Sequence, residues 1–311
     1  MNILVLSAGG PASHGVIKSL RDINFGGNIV SVDSNKMSAG FYLSDSFYTV
    51  PNAFDDDYIG VLLNIVKKEH INLILPTSSN EIITISKHSQ MFEHFDVHLF
   101  MSSHESIMTC SDKLDFYNKC KSNFSLPKTS LDVKDIGFPL FAKPRKHSAG
   151  SRGIKVCYRK EDINCLDVNK KEYIYQEYLP GQEYTIDVLC DMNSNPLSIV
   201  PRKRLQTKEG VSTKAKVVRN SYIEKTCSDI CRFLKLKGSI CLQMKEDINA
   251  NLKFVEINPR FGGGTYFASL AGINFVEMIL KLIDGKNINP PYPKEITVLR
   301  YYNEVVVWKR M

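Results

Sequence analysis

The sequence predicts an α/β protein in which a parallel, helix-covered sheet is followed by a region built on antiparallel strand pairs. Three observations carry this. Over residues 1–108, short apolar runs alternate with stretches of helical spacing, the pattern of repeated βα units. Residues 138–158 read as strand, Gly/Ser-rich loop, strand. Residues 239–258 hold two alternating runs joined by the turn-rich Ile248-Asn-Ala-Asn251, a hairpin pattern. A length of 311 residues accommodates two domains or three smaller ones.

In the first region, Ile3-Leu-Val-Leu6 has the composition of a buried strand, and Ser7-Ala-Gly-Gly10 turns into a helix from about Ser13 to Ile23. Ile29 to Val32 forms a second strand ending at Asp33. Residues 57–70 carry Ile59, Leu62, Leu63 and Val66 at helical spacing. Leu73-Ile-Leu75 then runs into Pro76-Thr-Ser-Ser-Asn80, a helix with Ile82, Ile83 and Ile85 follows, and Val97 to Phe100 closes the series. Ligands bind at the ends of such strands. The first turn lacks G-x-G-x-x-G spacing, so it reads as a substrate-facing or packing turn rather than a dinucleotide site.

Composition narrows the function classes. The chain is 43% hydrophobic and 23% charged, as in ordinary soluble proteins, and no apolar run reaches the ~20 residues of a membrane span. The start, MNILVLSAGG, enters a strand without the basic leader of a signal peptide. Eight scattered cysteines fit neither a zinc spacing nor a disulfide framework, so free thiols in a reducing cytoplasm are expected. The net charge of +7 comes without a dense basic block interleaved with aromatics. That argues for a small polyanion such as a nucleotide as partner, and against nucleic acid.

Ser111-Asp-Lys113 starts a helix with Ser111 as the expected cap, ended at Pro127. In 138–158, Lys143 sits at a strand end before a loop containing Ser148, Gly150, Ser151 and Gly153. Main-chain N–H groups in such a loop can wrap phosphate oxygens, with Lys143 as a point charge, and the loop is free to close as a lid. It is no P-loop, because the G-x-x-x-x-G-K-[ST] order is absent and a strand follows. A basic hairpin with a disordered tip is the alternative.

Tyr173 to Leu179 is an apolar run broken by Pro180-Gly181, after which alternation resumes through Glu183 to Leu189. A chain leaving a strand at such a break offers main-chain groups to a purine edge, and Glu183 could accept from ribose hydroxyls; a plain turn with exposed acids fits as well. Pro201-Arg-Lys-Arg204 reads as a basic loop, solvated or lending charge to a triphosphate, with Lys203 as its candidate. Ser221 to Leu236 and Phe275 to Ile283 have helical spacing. The tail from Ile296 to Trp308, β-branched and aromatic, is expected to be a packed strand.

Chemistry concentrates in Leu252-Lys-Phe-Val-Glu-Ile-Asn-Pro-Arg-Phe-Gly-Gly-Gly264. Alternation sets Val255 and Ile257 on one face and Glu256 and Asn258 on the other. A hairpin centred between Asn249 and Ala250 pairs Gln243 with Glu256. Gln243, Glu256 and Asn258 then converge. Hard oxygen ligands with few charges suit a Mg²⁺ ion that also takes phosphate oxygens, and Arg260 adds a cation for the same phosphates. The alternative is a polar sheet face ending in an ordinary Gly-rich turn.

In their joint order these segments resemble the ATP-grasp superfamily, and within it the carbamoyl-phosphate-synthase-like carboxylate–amine ligases. The resemblance spans nearly the whole chain. It is carried by Ser111-Asp-Lys113, Ala142-Lys143-Pro with Ser148-Ala-Gly-Ser-Arg-Gly153, Gln176-Glu-Tyr-Leu179 with Gly181-Gln-Glu183-Tyr-Thr, and Gln243 with Glu256-Ile-Asn258-Pro-Arg260-Phe-Gly-Gly. It implies a Rossmann-like pre-ATP-grasp domain over 1–108 and an ATP-grasp fold of two α+β subdomains. The small one, with the lid, would span 109–180, and the large one, with the metal site, 181–311.

By the same resemblance, Lys113 and Lys143 would bind ATP phosphates under the 148–153 loop. Glu177, Tyr178 and Leu179 would form the adenine hinge and Glu183 would hold the ribose. Gln243, Glu256 and Asn258 would ligate Mg²⁺, with two ions bridged by Glu256 and Mn²⁺ as an alternative ion. Arg260 would steady the transferred phosphoryl group. Gln243 departs from the acid found in many family members but matches the synthase-like branch. The implied activity is an ATP-dependent carboxylate–amine ligase working through an acyl phosphate, on small-molecule carboxylate and amine substrates, with a homodimer as the family's common assembly. A kinase-like or carboxylating ATP-grasp reaction is the runner-up, and a silent nucleotide-binding regulator the reading from another class. The chain lacks the tandem second half of the synthase, so full carbamoyl-phosphate synthesis is not expected of it alone.

Overall fold

The structure, a computed structural model, describes residues 1–146, 153–166 and 172–307. The first layer holds β1 (Asn2–Val5), α1 (Pro11–Asp22), β2 (Ile29–Asp33), β3 (Ser46–Thr49), α2 (Tyr58–Lys68), β4 (Ile71–Leu75), α3 (Ser79–Lys87), α4 (Ser89–Glu93) and β5 (His98–Leu99). Its five strands are parallel in the order β3-β2-β1-β4-β5. The apolar runs Ile3–Val5 and Leu73–Leu75 are fully buried because helices cover both faces of the sheet. β3, which the sequence reading passed over, is a half-buried edge strand whose Ser-Phe-Tyr-Thr lacks a continuous apolar run.

Two helices lead out of this layer, α5 (His104–Ser111) and α6 (Lys113–Cys120). A four-stranded antiparallel sheet follows, from β6 (Thr129–Ser130), β7 (Leu140–Pro144), β8 (Lys155–Cys157) and β9 (Tyr173–Glu177), in the order β6-β9-β7-β8. The rest is β10 (Glu183–Cys190), β11 (Pro196–Lys208), β12 (Val211–Val217), α7 (Ser221–Phe233), β13 (Gly238–Glu246), β14 (Leu252–Asn258), α8 (Tyr266–Leu270), α9 (Phe275–Ile283) and β15 (Thr297–Leu299). Its six strands are antiparallel in the order β14-β13-β10-β11-β12-β15.

The large sheet is two-faced. Ile186, Leu242, Met244, Phe254 and Ile257 pack on Ile223, Cys227 and Ile230 of α7. Val200 and Val217 instead join a core with Val16 and Ile17 of α1 and Phe275 and Ile279 of α9, so the first layer and the large sheet share buried apolar surface. Cys110, Cys120, Cys190, Cys227, Cys231 and Cys241 are buried free thiols, and burial pushes those of Cys120 and Cys241 up to about 11, which keeps them protonated and inert.

Three local expectations are corrected. The cap of α6 is Asp112, whose carboxylate accepts from the N–H groups of Leu114 and Asp115, while Ser111 closes α5 and donates its hydroxyl to the Ile107 carbonyl. Residues 201–204 lie within strand β11 rather than in a loop. The tail is a strand only over Thr297–Leu299 among the described residues, paired with Lys214–Lys216 of β12 and flanked by main-chain bonds from Val217 to the Ile296 carbonyl and from Arg300 to the Thr213 carbonyl. Tyr301 and Tyr302 are accordingly exposed by 83% and 80%, and Trp308 lies outside the described residues.

Candidate active site

The two antiparallel sheets face each other across a cleft of about 590 Å³, closed at its inner end by the starts of α1 and α3. On the large sheet, cross-strand register builds the floor. Arg202 pairs with Thr185, Thr185 with Gln243, and Gln243 with Glu256, a row across β11, β10, β13 and β14. Asp187, Cys241 and Asn258 form the next row on the same face. Alternate residues point the other way, which decides the fate of Lys203. It pairs with Tyr184 and holds its ammonium 5.9 Å from that ring's centre, on the opposite face, and does not line the cleft. Arg202 and Arg204 line it instead.

The hairpin brings Gln243 opposite Glu256 as expected, by a route the sequence reading did not foresee. Near the turn, Glu246 faces Leu252 and Met244 faces Phe254, which centres the turn on Asn249. A bulge at Val255 restores the Gln243–Glu256 pair. It also changes the buried set to Phe254 and Ile257, correcting the expected pairing of Val255 with Ile257 on one face. The carbonyl of Val255 accepts a hydrogen bond from Lys143 Nζ at 3.3 Å. Glu256 and Asn258 do share the cleft face, with Asn258 Nδ2 donating to Glu256 Oε1 at 3.2 Å.

Opposite the floor, β7 alternates. Leu140 and Ala142 enter the small sheet's own core, and Lys143 turns to the cleft with 1% of its surface exposed. Burial lowers its ammonium to about 8; Glu256 acts against that shift and Lys113 adds to it. Lys113, 8% exposed, opens α6 and is tied to the small sheet through the Arg145 carbonyl, which accepts from its main-chain N–H at 3.2 Å and its Nζ at 3.5 Å. Arg145 in turn donates through Nε to Asp112 at 2.8 Å. Burial lowers the Lys113 ammonium too, again opposed by Glu256.

At the junction of the sheets, Glu177 and Leu179 line the cleft and Tyr178 does not. Glu177 Oε1 accepts from Lys253 Nζ at 2.6 Å, bridging β9 to β14. Glu183 also lines the cleft, its Oε1 accepting from Arg204 Nη1 at 2.7 Å. Arg260 reaches back to the first layer, donating through Nε to Ser79 Oγ at 3.3 Å and through Nη2 to Asn258 Oδ1 at 3.2 Å. Of the lid loop, Ser148, Gly150 and Ser151 lie outside the described residues. Gly153 has φ +75° and sits against Pro144 and Tyr173, away from the cleft lining.

The structure thus gathers Lys113, Lys143, Glu177, Leu179, Glu183, Gln243, Glu256, Asn258 and Arg260 around one cavity. Arg202 and Arg204, from the basic run expected to lend charge through Lys203, join them, as do Thr185 and Gln176, to which no role was assigned. Arg-Lys-Arg within a strand would have placed the two arginines on one face; read as a loop, it gave no face. With Glu177 and Glu183 already paired to Lys253 and Arg204, the lining keeps an excess of positive charge, which suits a polyphosphate. The metal set offers one carboxylate and two amides, and among the described residues no cluster of three or more His, Cys, Asp or Glu could hold a metal. These residues fit an ion that arrives with a nucleotide's phosphate oxygens, not a free ion.

Comparison with known proteins bears on the fold. A family model described as "ATP-grasp in the biosynthetic pathway with Ter operon" matches residues 169–305. The chain carries an ATP-grasp domain. Residues 3–100 match the PylC-like N-terminal domain. The carbamoyl phosphate synthase large chain of Clostridium botulinum (strain Loch Maree / Type A3) is 22% identical over 305 residues, covering 89% of this chain and 28% of that one, so the chain spans under a third of that relative. Among solved structures, N5-carboxyaminoimidazole synthetase from Staphylococcus aureus complexed with ADP superposes with TM-score 0.73 at 16% identity, covering 94% of this chain and 78% of that one. An L-amino acid ligase from Bacillus licheniformis gives TM-score 0.68 at 12% identity, covering 90% and 73%. These likenesses establish the shared fold. Among the described residues, no helix is long and apolar enough to cross a membrane.

Proposed function

We propose that this ATP-grasp protein is an ATP-dependent carboxylate–amine ligase. The γ-phosphoryl group of ATP passes to a substrate carboxylate, giving an acyl phosphate and ADP; an amine then attacks the acyl carbon, forming an amide and releasing phosphate. The observation that carries the reading is the register row Gln243–Glu256, with Asn258 beside it, set across the cleft from two buried lysines.

In this reading Lys113 and Lys143 hold phosphate oxygens, and their burial makes each charge count for more than it would in water. Glu177 and Leu179 sit where the adenine would lie, and Glu183 where it could take ribose hydroxyls. Gln243, Glu256 and Asn258 would hold Mg²⁺, which when bound neutralises phosphate charge and orients the transferred group. Arg260 stands between Asn258 and Ser79, placed to steady the phosphoryl group as it moves toward a carboxylate near the first layer. The remaining requirement is exclusion of water from the acyl phosphate, for which the 148–153 segment is the candidate.

A coupled assay of ADP release tests the proposal. Release that requires both an acid and an amine supports the ligase. Release with the acid alone points to a phosphoryl transferase, and nucleotide binding without any release to a regulator. Formation of AMP and pyrophosphate contradicts the acyl-phosphate route.

A further inference from the structure

The inner end of the cleft holds a second concentration of positive charge that the phosphate-binding lysines do not explain. Arg202 is 1% exposed and donates through Nε to Asp187 Oδ2 at 2.7 Å, but its Nη1 and Nη2 are buried without a hydrogen-bond partner. Asp187 meets only the Nε side of the guanidinium, and its other oxygen accepts from Thr265 Oγ1 at 2.8 Å. Arg300 packs on the same Phe267 ring, the two guanidinium carbons lying 5.3 and 4.8 Å from its centre, and donates to the Gly263 carbonyl. Arg202, buried, and Arg300, half-buried behind the lining, thus lie near one carboxylate, and only Arg202 pairs with it. Burial, and then Arg202 itself, lowers Arg300 to about 10.

Two further features lie close by, the first of them on the cleft wall itself. Helix α1, twelve residues long, begins at the cleft wall with Gly10 as its N-cap and no side-chain cap, so the positive end of its dipole is unshielded there. His14, on the first turns of that helix, has a buried Nε2 without a partner and lies near Arg300 and Lys18, with Asp33 as the opposing acid. The glycine segment after Arg260 runs between the two: a Cβ on Gly263 would meet Pro11 at 3.3 Å, and one on Gly264 would stand 2.6 Å from Arg202 Nη1.

Buried donors of a charged group are costly to leave unmade, and the natural acceptor for a fork of two N–H groups is a carboxylate or phosphate. We propose that Arg202, Arg300 and the start of α1 form an anion subsite that anchors a carboxylate or phosphate group of the acceptor substrate, the Gly262–Gly264 segment giving way to admit it. The inference rests on the ligase reading only in calling that anion part of a substrate. The substrate class is then a small molecule bearing an anionic anchor, held between the first layer and the large sheet.

Calorimetric titration of the full chain, loaded with MgADP, against inorganic phosphate, succinate and propionate tests this. The wild type is expected to bind at least one of them. Preference for phosphate indicates a phosphorylated substrate, and preference for a carboxylate indicates an organic acid. Arg202→Gln and Gly264→Ala should weaken that binding by at least about tenfold, the loss of a charge-assisted pair. Arg300→Gln, at a less buried position, should weaken it less and serves if the Arg202 variant does not fold. No binding of any probe to the wild type, or equal binding by all folded variants, overturns the subsite. The ligase reading fails separately: ADP release can be absent while anion binding still depends on Arg202, and MgADP can bind while the anions do not.

Discussion

Lys143 offers a quantitative test of the nucleotide site, because its burial couples nucleotide binding to protons. Without nucleotide its ammonium titrates at about 8, lowered by burial and held up by Glu256. Phosphate oxygens would stabilise the charged form and raise that value, so binding takes up a proton wherever the free protein has lost one. The sign follows: affinity is full well below 8 and falls as pH rises through it. Between pH 7.5 and 9 the charged fraction drops from about three-quarters to about one-tenth, so affinity for MgADP should fall by roughly eightfold. Calorimetry in buffers of different ionisation heats reads both the affinity and the proton taken up. Lys143→Arg should flatten the dependence, and Lys143→Met should weaken binding at neutral pH and leave only the shallower slope due to Lys113. A flat wild-type profile, or the full slope surviving in Lys143→Met, would refute the reasoning.

Glu256→Gln removes the only carboxylate of the metal set and should lower ADP release by about 100-fold or more, with a matching rise in the Mg²⁺ required; near-normal turnover in a magnesium titration would contradict the assignment. The same variant strips Lys143 of its main carboxylate support, so the pH midpoint of MgADP binding should move down. Glu81, buried in the first turn of α3 and accepting from Ser7 Oγ at 2.5 Å and Tyr58 OH at 3.2 Å, is pushed up to about 7 by burial. Since its folded value is raised, the stability tied to its protonated form is complete below about 4.5 and lost as pH rises toward 7, on the order of 3 kcal/mol. Thermal melts of Glu81→Gln should therefore show a smaller decline between pH 5 and pH 8 than the wild type, and parallel curves would count against it. Lys253→Ala breaks partly buried pairs with Glu177 at 2.6 Å and Asp247 at 3.5 Å and should cost the fold about 1 kcal/mol by denaturant titration, while loosening the junction of the two sheets enough to weaken MgADP several-fold.

The sequence carried much of this site because strands translate alternation directly into faces. Glu256-Ile-Asn258 needed only a period of two, and Lys143 after Leu140 and Ala142 the same. The parallel layer was legible because its buried strands are unbroken apolar runs. What failed were features set by tertiary partners. The Val255 bulge has no local signature, yet it moves the turn and exchanges one core residue for another. Arg202 and Arg204 were hidden because a basic run reads as a loop until one knows that β10 lies beside it to receive Asp187 and Glu183 pairs. The tail has strand composition, yet among the described residues only Thr297–Leu299 is a strand, at the edge of the large sheet where one side alone can pair.

The most direct test is a crystal structure of the protein with a non-hydrolysable MgATP analogue. The account predicts Gln243, Glu256 and Asn258 turned onto the magnesium and its phosphate oxygens, with Lys113 and Lys143 on the phosphates from the facing sheet. A nucleotide bound elsewhere, or those three side chains directed away from its phosphates, would contradict it.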